Sequence, residues 1–194
     1  LSGLAGAVAK AGGVGLISTA QIGWREPDFD RDPLGANLRA LAKELKKARK
    51  IAPDGVLGFN IMVATRKYGE YVKAAAAAGD LIVSGAGLPV DLPKFAAGFS
   101  TKLAPIVSSS KAANLICKLW DRRYETAPDL VVVEGPEAGG HLGFSEEDAK
   151  HLPKKTFEEE IQKILEAVRG YAEKYRKKIP VVVAGGIYSR EDVR

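Results

Sequence analysis

Apolar residues follow one another along this chain in two alternating rhythms. Short runs rich in Val, Ile and Leu occupy residues 14–18, 56–63, 81–84, 103–108, 130–134 and 180–184, a length and composition that predict β-strands. Segments of helical period lie between them. Residues 34–51 place Leu34, Leu38, Leu41, Leu45 and Ala48 on one stripe, and residues 157–175 place Phe157, Ile161, Ile164, Leu165, Val168 and Tyr171 on one face. Further helices are predicted over 1–10, over 68–78 (closed by Gly79), over 92–97 and over 111–124. Ser189-Arg-Glu-Asp192 has the S-x-x-D spacing that opens a helix, so a last helix is expected there.

Six strands separated by helices, with no hairpin turn between them, imply an α/β fold with a parallel sheet. An open doubly wound sheet and a closed TIM-type (β/α)8 barrel both satisfy this order. The chain opens on a helical pattern and stops just after a helix-start signal. A barrel of ~250 residues with its first and last strands missing from this chain accounts for both ends. The expectation is therefore a single barrel domain over residues 1–194, incomplete at both ends. Two polar stretches that hold Pro and acidic residues, 21–33 and 143–155, follow strand ends. They read equally well as lids over a barrel mouth and as plain surface loops.

Composition narrows the class. No apolar run approaches the ~20 residues of a membrane span, and no basic-then-apolar leader or lipidation signal is present, so a cytoplasmic location is expected. The single cysteine, Cys117, excludes an internal disulfide framework and fits a reducing compartment. It sits in the apolar stretch Leu115-Ile-Cys-Lys-Leu119, where a small core residue is the simpler reading than a nucleophile. The net charge of +5 is spread over helices such as Leu41-Ala-Lys-Glu-Leu-Lys-Lys-Ala-Arg-Lys50, a solvated face and not a nucleic-acid patch. No metal-ligand cluster, P-loop or nucleophile elbow is found. Gly12-Gly13-Val14-Gly15 superficially resembles a dinucleotide fingerprint but precedes its strand instead of following one.

The candidate chemistry lies at the carboxyl ends of strands, where parallel α/β folds place their sites. Leu130-Val-Val-Val-Glu134 runs into Gly135-Pro-Glu-Ala-Gly139-Gly140-His141, a continuous apolar strand that looks buried on both faces, followed by a glycine-rich loop. Two glycines before His141 let a flat ligand approach the imidazole, which could act as a general acid or base or polarise a substrate. A structural role is the alternative. His151, in a polar stretch, reads as a surface residue. Ala184-Gly185-Gly186-Ile187 follows the last apolar run and is either a phosphate cradle or a tight turn. Asn60 is an amide within the apolar run 56–63, and needs a partner in a ligand or in its own loop if buried. Gly85 and Gly87 permit close approach to something flat, or relieve a turn.

These segments, together with Leu4-Ala-Gly-Ala-Val-Ala-Lys-Ala-Gly-Gly-Val-Gly-Leu-Ile-Ser18, Gly58-Phe-Asn-Ile-Met62 and Ser84-Gly-Ala-Gly87, occur in an order that resembles the nitronate monooxygenase family, formerly 2-nitropropane dioxygenases. That family also includes FMN-dependent enoyl-acyl-carrier-protein reductases. The resemblance covers essentially the whole chain. It implies a TIM-type barrel with non-covalently bound FMN. Asn60 would hydrogen-bond the flavin ring, Glu134 and Gly139 would lie along the ribityl side, and Gly185 and Gly186 would donate to the phosphate. His141 would be the catalytic residue facing the substrate, with Gly85 and Gly87 lining the same space; no metal is implied. Glu134 stands where the family also uses Asp.

The activity implied is oxidation of alkyl nitronates with O2 to a carbonyl compound and nitrite. The alternatives are enoyl-thioester reduction with NAD(P)H and a non-catalytic flavin- or phosphate-binding barrel. The implied partners are a small-molecule substrate, nitronate or enoyl thioester, and O2. Neither nucleic acid nor membrane is expected, and a homo-oligomer is compatible with this reading.

Overall fold

The computed structural model describes residues 1–139 and 154–193. The chain forms two compact units, Leu1–Gly87 with Asp91–Leu103, and Leu88–Val90 with Ala104–Arg194.

The first unit contains α1 (Ser2–Lys10), β1 (Val14–Ser18), α2 (Pro33–Ile51), β2 (Val56–Met62), α3 (Tyr68–Ala78), β3 (Leu81–Gly85) and α4 (Leu92–Phe95). Strands β1, β2 and β3 pair in parallel in chain order, with Ile17 opposite Phe59 and Phe59 opposite Ile82. The pleat sends alternate residues to opposite faces. Ile17, Leu57, Phe59, Ile61 and Ile82 fall on one side and are all fully buried. On the other side Val14, Leu16 and Val56 stay 46, 38 and 45% exposed. That second face carries, in successive rows toward the carboxyl ends, Leu16 with Gly58 and Leu81, then Ser18 with Asn60 and Val83, then Met62 with Gly85.

Polar groups tie the helices in place. Asp32 caps α2, its Oδ1 accepting from Gly35 N at 2.9 Å ahead of a proline in the first turn. The first turn of α1 is held from α2 instead of by its own cap: Ser2 N and Oγ both donate to Glu44, at 3.1 and 2.6 Å. Burial alone would raise the Glu44 pKa, but hydrogen bonds from Lys47 and Ser2 outweigh it and hold the carboxyl down at about 2.

The second unit holds β4 (Lys102–Val107) from Ala104 onward, α5 (Ser110–Tyr124), β5 (Val131–Glu134), α6 (Lys154–Lys174), β6 (Val181–Ala184) and a 3-10 turn, Glu191–Val193. Strands β4, β5 and β6 also pair in parallel in chain order, with Ile106 opposite Val132 and Glu134 opposite Ala184. Ser109 caps α5 through Ala112 N at 3.2 Å, while Ser110 N and Oγ donate to Glu160 of α6 at 2.6 and 2.7 Å. Trp120 is fully buried and donates its Nε1–H to Pro89 O at 3.1 Å. Cys117 lies in the same core, and burial pushes its thiol up to about 12 against the weaker pull of Lys177. It is a core residue, as its apolar neighbours in sequence suggest.

Parallel strands that pair in chain order and alternate with helices are the repeat of the TIM-type (β/α)8 barrel, the α/β class expected. One expectation is corrected. The valine run is sealed on one face only: Val131 and Val133 are fully buried, whereas Val182, beside Val132 in register, is 46% exposed. The Ser189–Asp192 signature opens a three-residue 3-10 turn at the end of the described residues. Asp192 Oδ2 closes that turn by accepting from Ser189 N, Ser189 Oγ and Tyr188 N at 2.7, 2.9 and 3.0 Å. Among the described residues, no helix is long and apolar enough to cross a membrane.

Candidate functional site

In the first unit, Asn60, Gly85 and Gly87 gather at the carboxyl ends of β2 and β3. Asn60 projects on the strand face away from Phe59 and Ile61, between Ser18 and Val83 in register. It is only partly buried. Its backbone oxygen accepts from Thr19 N and Oγ1, both at 3.1 Å, while its side-chain amide engages no hydrogen-bond partner among the described residues. A half-buried amide without a protein partner is a ready contact for the polar edge of a ligand. Gly85 ends β3 beside Met62, and its carbonyl accepts from Val63 N at 2.8 Å. Gly87 has φ +123°, and a Cβ there would meet Val63 Cβ at 3.2 Å. The preceding Ser84 faces the helices, donating to Ile61 O at 2.8 Å and meeting the Tyr68 hydroxyl at 2.8 Å. Burial, followed in effect by the charge of Asp91, raises the Tyr68 phenol to about 12 against its bond to Ser84, so it remains a neutral structural group.

In the second unit, register brings two loops side by side. Glu134 stands opposite Ala184, and Gly135 N donates to Ala184 O at 2.8 Å. The chain then turns, Ala138 N donating to Gly135 O at 3.1 Å, and runs to Gly139, whose missing side chain would meet nothing within 4 Å. Against this loop lies Gly185-Gly186, with φ +99° and +75°. A Cβ on Gly185 would come within 2.6 Å of Ala138 N, and one on Gly186 would meet the Glu137 carboxylate. The left-handed backbone favours glycine at both positions, and at Gly185 the approach to Ala138 main chain also leaves no room for a side chain. No protein acceptor among the described residues takes the N–H of Gly185, Gly186 or Ile187. Consecutive N–H groups left open in a left-handed turn form an anion-binding concavity.

The structure thus brings together Asn60, Gly85 and Gly87 in one unit, and Glu134, Gly139, Gly185 and Gly186 in the other. His141 lies outside the described residues, as do His151 and most of the stretch 143–155. The other irregular stretch, 21–33, is fastened to α2: Gly23 N donates to Asn37 Oδ1 at 2.7 Å, Arg39 pairs with Asp28 at 2.5 Å and Lys43 with Glu26 at 2.8 Å. Ser18 is a site-edge residue that the sequence reading missed. It shares the Asn60 row, and the period-two pattern of Val14–Ser18 was the signal that could have placed it there. Among the described residues, no cluster of His, Cys, Asp and Glu could hold a metal ion.

Comparison with known proteins bears on the fold and the family. No curated protein matches the chain by sequence. FabK from Thermotoga maritima superposes with a TM-score of 0.67 at 24% identity, covering 99% of this chain and 49% of that one. Nitroalkane oxidase from Streptomyces ansochromogenes gives 0.63 at 20% identity, covering 96% and 55%. The chain therefore spans about half the length of these structures, and at such identities the likeness speaks for the fold. The family model described as nitronate monooxygenase matches residues 2–194, so the chain belongs to the nitronate monooxygenase family.

Proposed function

We propose that the protein of which this chain forms part is an FMN-dependent oxidoreductase that oxidises alkyl nitronates with O2 to a carbonyl compound and nitrite. The observation that carries this reading is the Gly185-Gly186 turn, left-handed at both residues and with backbone N–H groups that no acceptor among the described residues takes. Such a turn after a late strand of a TIM-type fold suits a phosphate monoester. FMN, when bound, supplies two-electron redox chemistry. On this reading Gly185 and Gly186 would hold its phosphate through backbone donors and Glu134 and Gly139 would lie along the ribityl side, while Asn60 would hydrogen-bond the ring. Gly85 and Gly87 line the substrate space without side chains to obstruct it. His141, two residues beyond Gly139, takes a proton from a neutral nitroalkane or orients the nitronate anion.

The test uses the full-length protein. It should purify with flavin absorbance, consume oxygen and release nitrite when given propyl nitronate. His141→Ala should keep FMN and lose turnover of neutral nitroalkanes by ~10²–10⁴-fold, the usual worth of a general base. Protein that stays colourless with added FMN would sink the flavin assignment. Oxidation of NAD(P)H by a crotonyl thioester without nitrite would move the activity to enoyl reduction.

A further inference from the structure

The loop after β5 sets a carboxylate against the turn proposed to hold the flavin phosphate. A Cβ built on Gly186 would come within 2.5 Å of Glu137 Oε2. Gly186 closes the left-handed pair whose N–H groups meet no acceptor among the described residues. The Glu137 side chain makes no hydrogen bond or ion pair among the described residues either. Its charge is therefore not neutralised by a neighbour described here. Once an anion enters the turn, two negative charges share one small concavity and repel each other.

The backbone that carries Glu137 is pinned. Gly135 N donates to Ala184 O at 2.8 Å, and Ala138 N donates to Gly135 O at 3.1 Å. The Phe157 ring closes over Gly135, where a Cβ would meet its Cε1 at 2.9 Å. On the other side, a Cβ on Gly185 would lie 2.6 Å from Ala138 N, so the two loops already touch through main chain. The Glu137 side chain, by contrast, is exposed. It can change rotamer and turn out to solvent while the loop stays in place.

We propose that the Glu137 carboxylate gates the phosphate site. It stands over the Gly185-Gly186 turn, lowers the affinity for a phosphate monoester by charge repulsion, and turns out to solvent when the ester enters. The proposal rests on the flavin-phosphate reading of this turn and names the residue that limits how tightly the cofactor is held. The charge acts on the phosphate, so it narrows the preference for FMN over riboflavin, which has the same ring and ribityl chain without the phosphate.

Full-length protein freed of flavin is titrated with FMN and, separately, with riboflavin at low ionic strength, the quenching of flavin fluorescence giving each Kd. Glu137→Gln keeps the shape and removes the charge. It should bind FMN about tenfold more tightly than the parent and riboflavin equally well, and added salt should bring parent and variant together. Glu137→Ala should show the same gain, and it decides by the same comparison if Glu137→Gln fails to fold. Riboflavin binding is the folding control for both. An FMN affinity that is unchanged or weaker, with riboflavin binding intact, overturns the gate and leaves the flavin reading standing. A parent protein that binds neither flavin overturns the flavin reading, and the gate with it.

Discussion

At the scale of single residues, the best-determined positions are those where a side chain has no room. Gly185 combines φ +99° with an approach of 2.6 Å between a built Cβ and Ala138 N. Gly185→Ala should destabilise the protein by about 2 kcal/mol or more, from backbone strain plus a clash with main chain. It should also cut the flavin content of purified protein, and a variant that retains both Tm and flavin would remove the Gly-Gly turn from the site. The pair was singled out in sequence because two glycines after an apolar run make either a phosphate cradle or a tight turn. Their conformation was not legible there, because φ is set by the loop packed against them. Asn60 was visible for the converse reason, an amide among apolar neighbours. That Ser18 stands beside it in the same row is decided by strand register.

At the scale of elements, helix ends are secured by carboxylates from the next helix. Glu44 of α2 accepts from Ser2 at the start of α1, and Glu160 of α6 accepts from Ser110 at the start of α5. The Glu44 carboxyl, held at about 2 in the folded state against an ordinary value of 4.5, binds its proton less readily folded than unfolded. Its contribution to stability is therefore whole above the ordinary value and fades as pH falls towards 2. Glu44→Gln should lower stability near neutral pH by about 1 kcal/mol, with parent and variant converging in acid. Denaturant unfolding across that pH range checks this, and a constant gap down to pH 2 would refute the charge-based role. The elements themselves were legible: β1 and α3 occupy the residues their periodicity predicts, and α5 starts one residue early at Ser110. The Ser–Glu bonds span 42 and 50 residues, and no local pattern reports such a pairing.

At the scale of the whole molecule, the family assignment and the parallel order within each unit support a cofactor held at strand carboxyl ends. Flavin bound only by the folded state should raise the apparent stability of the full-length protein by ~2.7 kcal/mol at a hundredfold excess over Kd. Thermal unfolding with and without added FMN measures this, and coincident transitions would exclude specific binding. Sequence by itself determined the kinds of element and their α/β alternation, because hydrophobic period is a local property of the chain. It also placed the glycine-rich segments behind their strands, since turn chemistry is equally local. Only tertiary structure decided which face of each strand is sealed, which loop rests against Gly185 and Gly186, and that the Glu137 carboxylate stands over Gly186. Those relations depend on register and packing between distant segments, and the energies that select them belong to pairs of elements and not to any one stretch of residues.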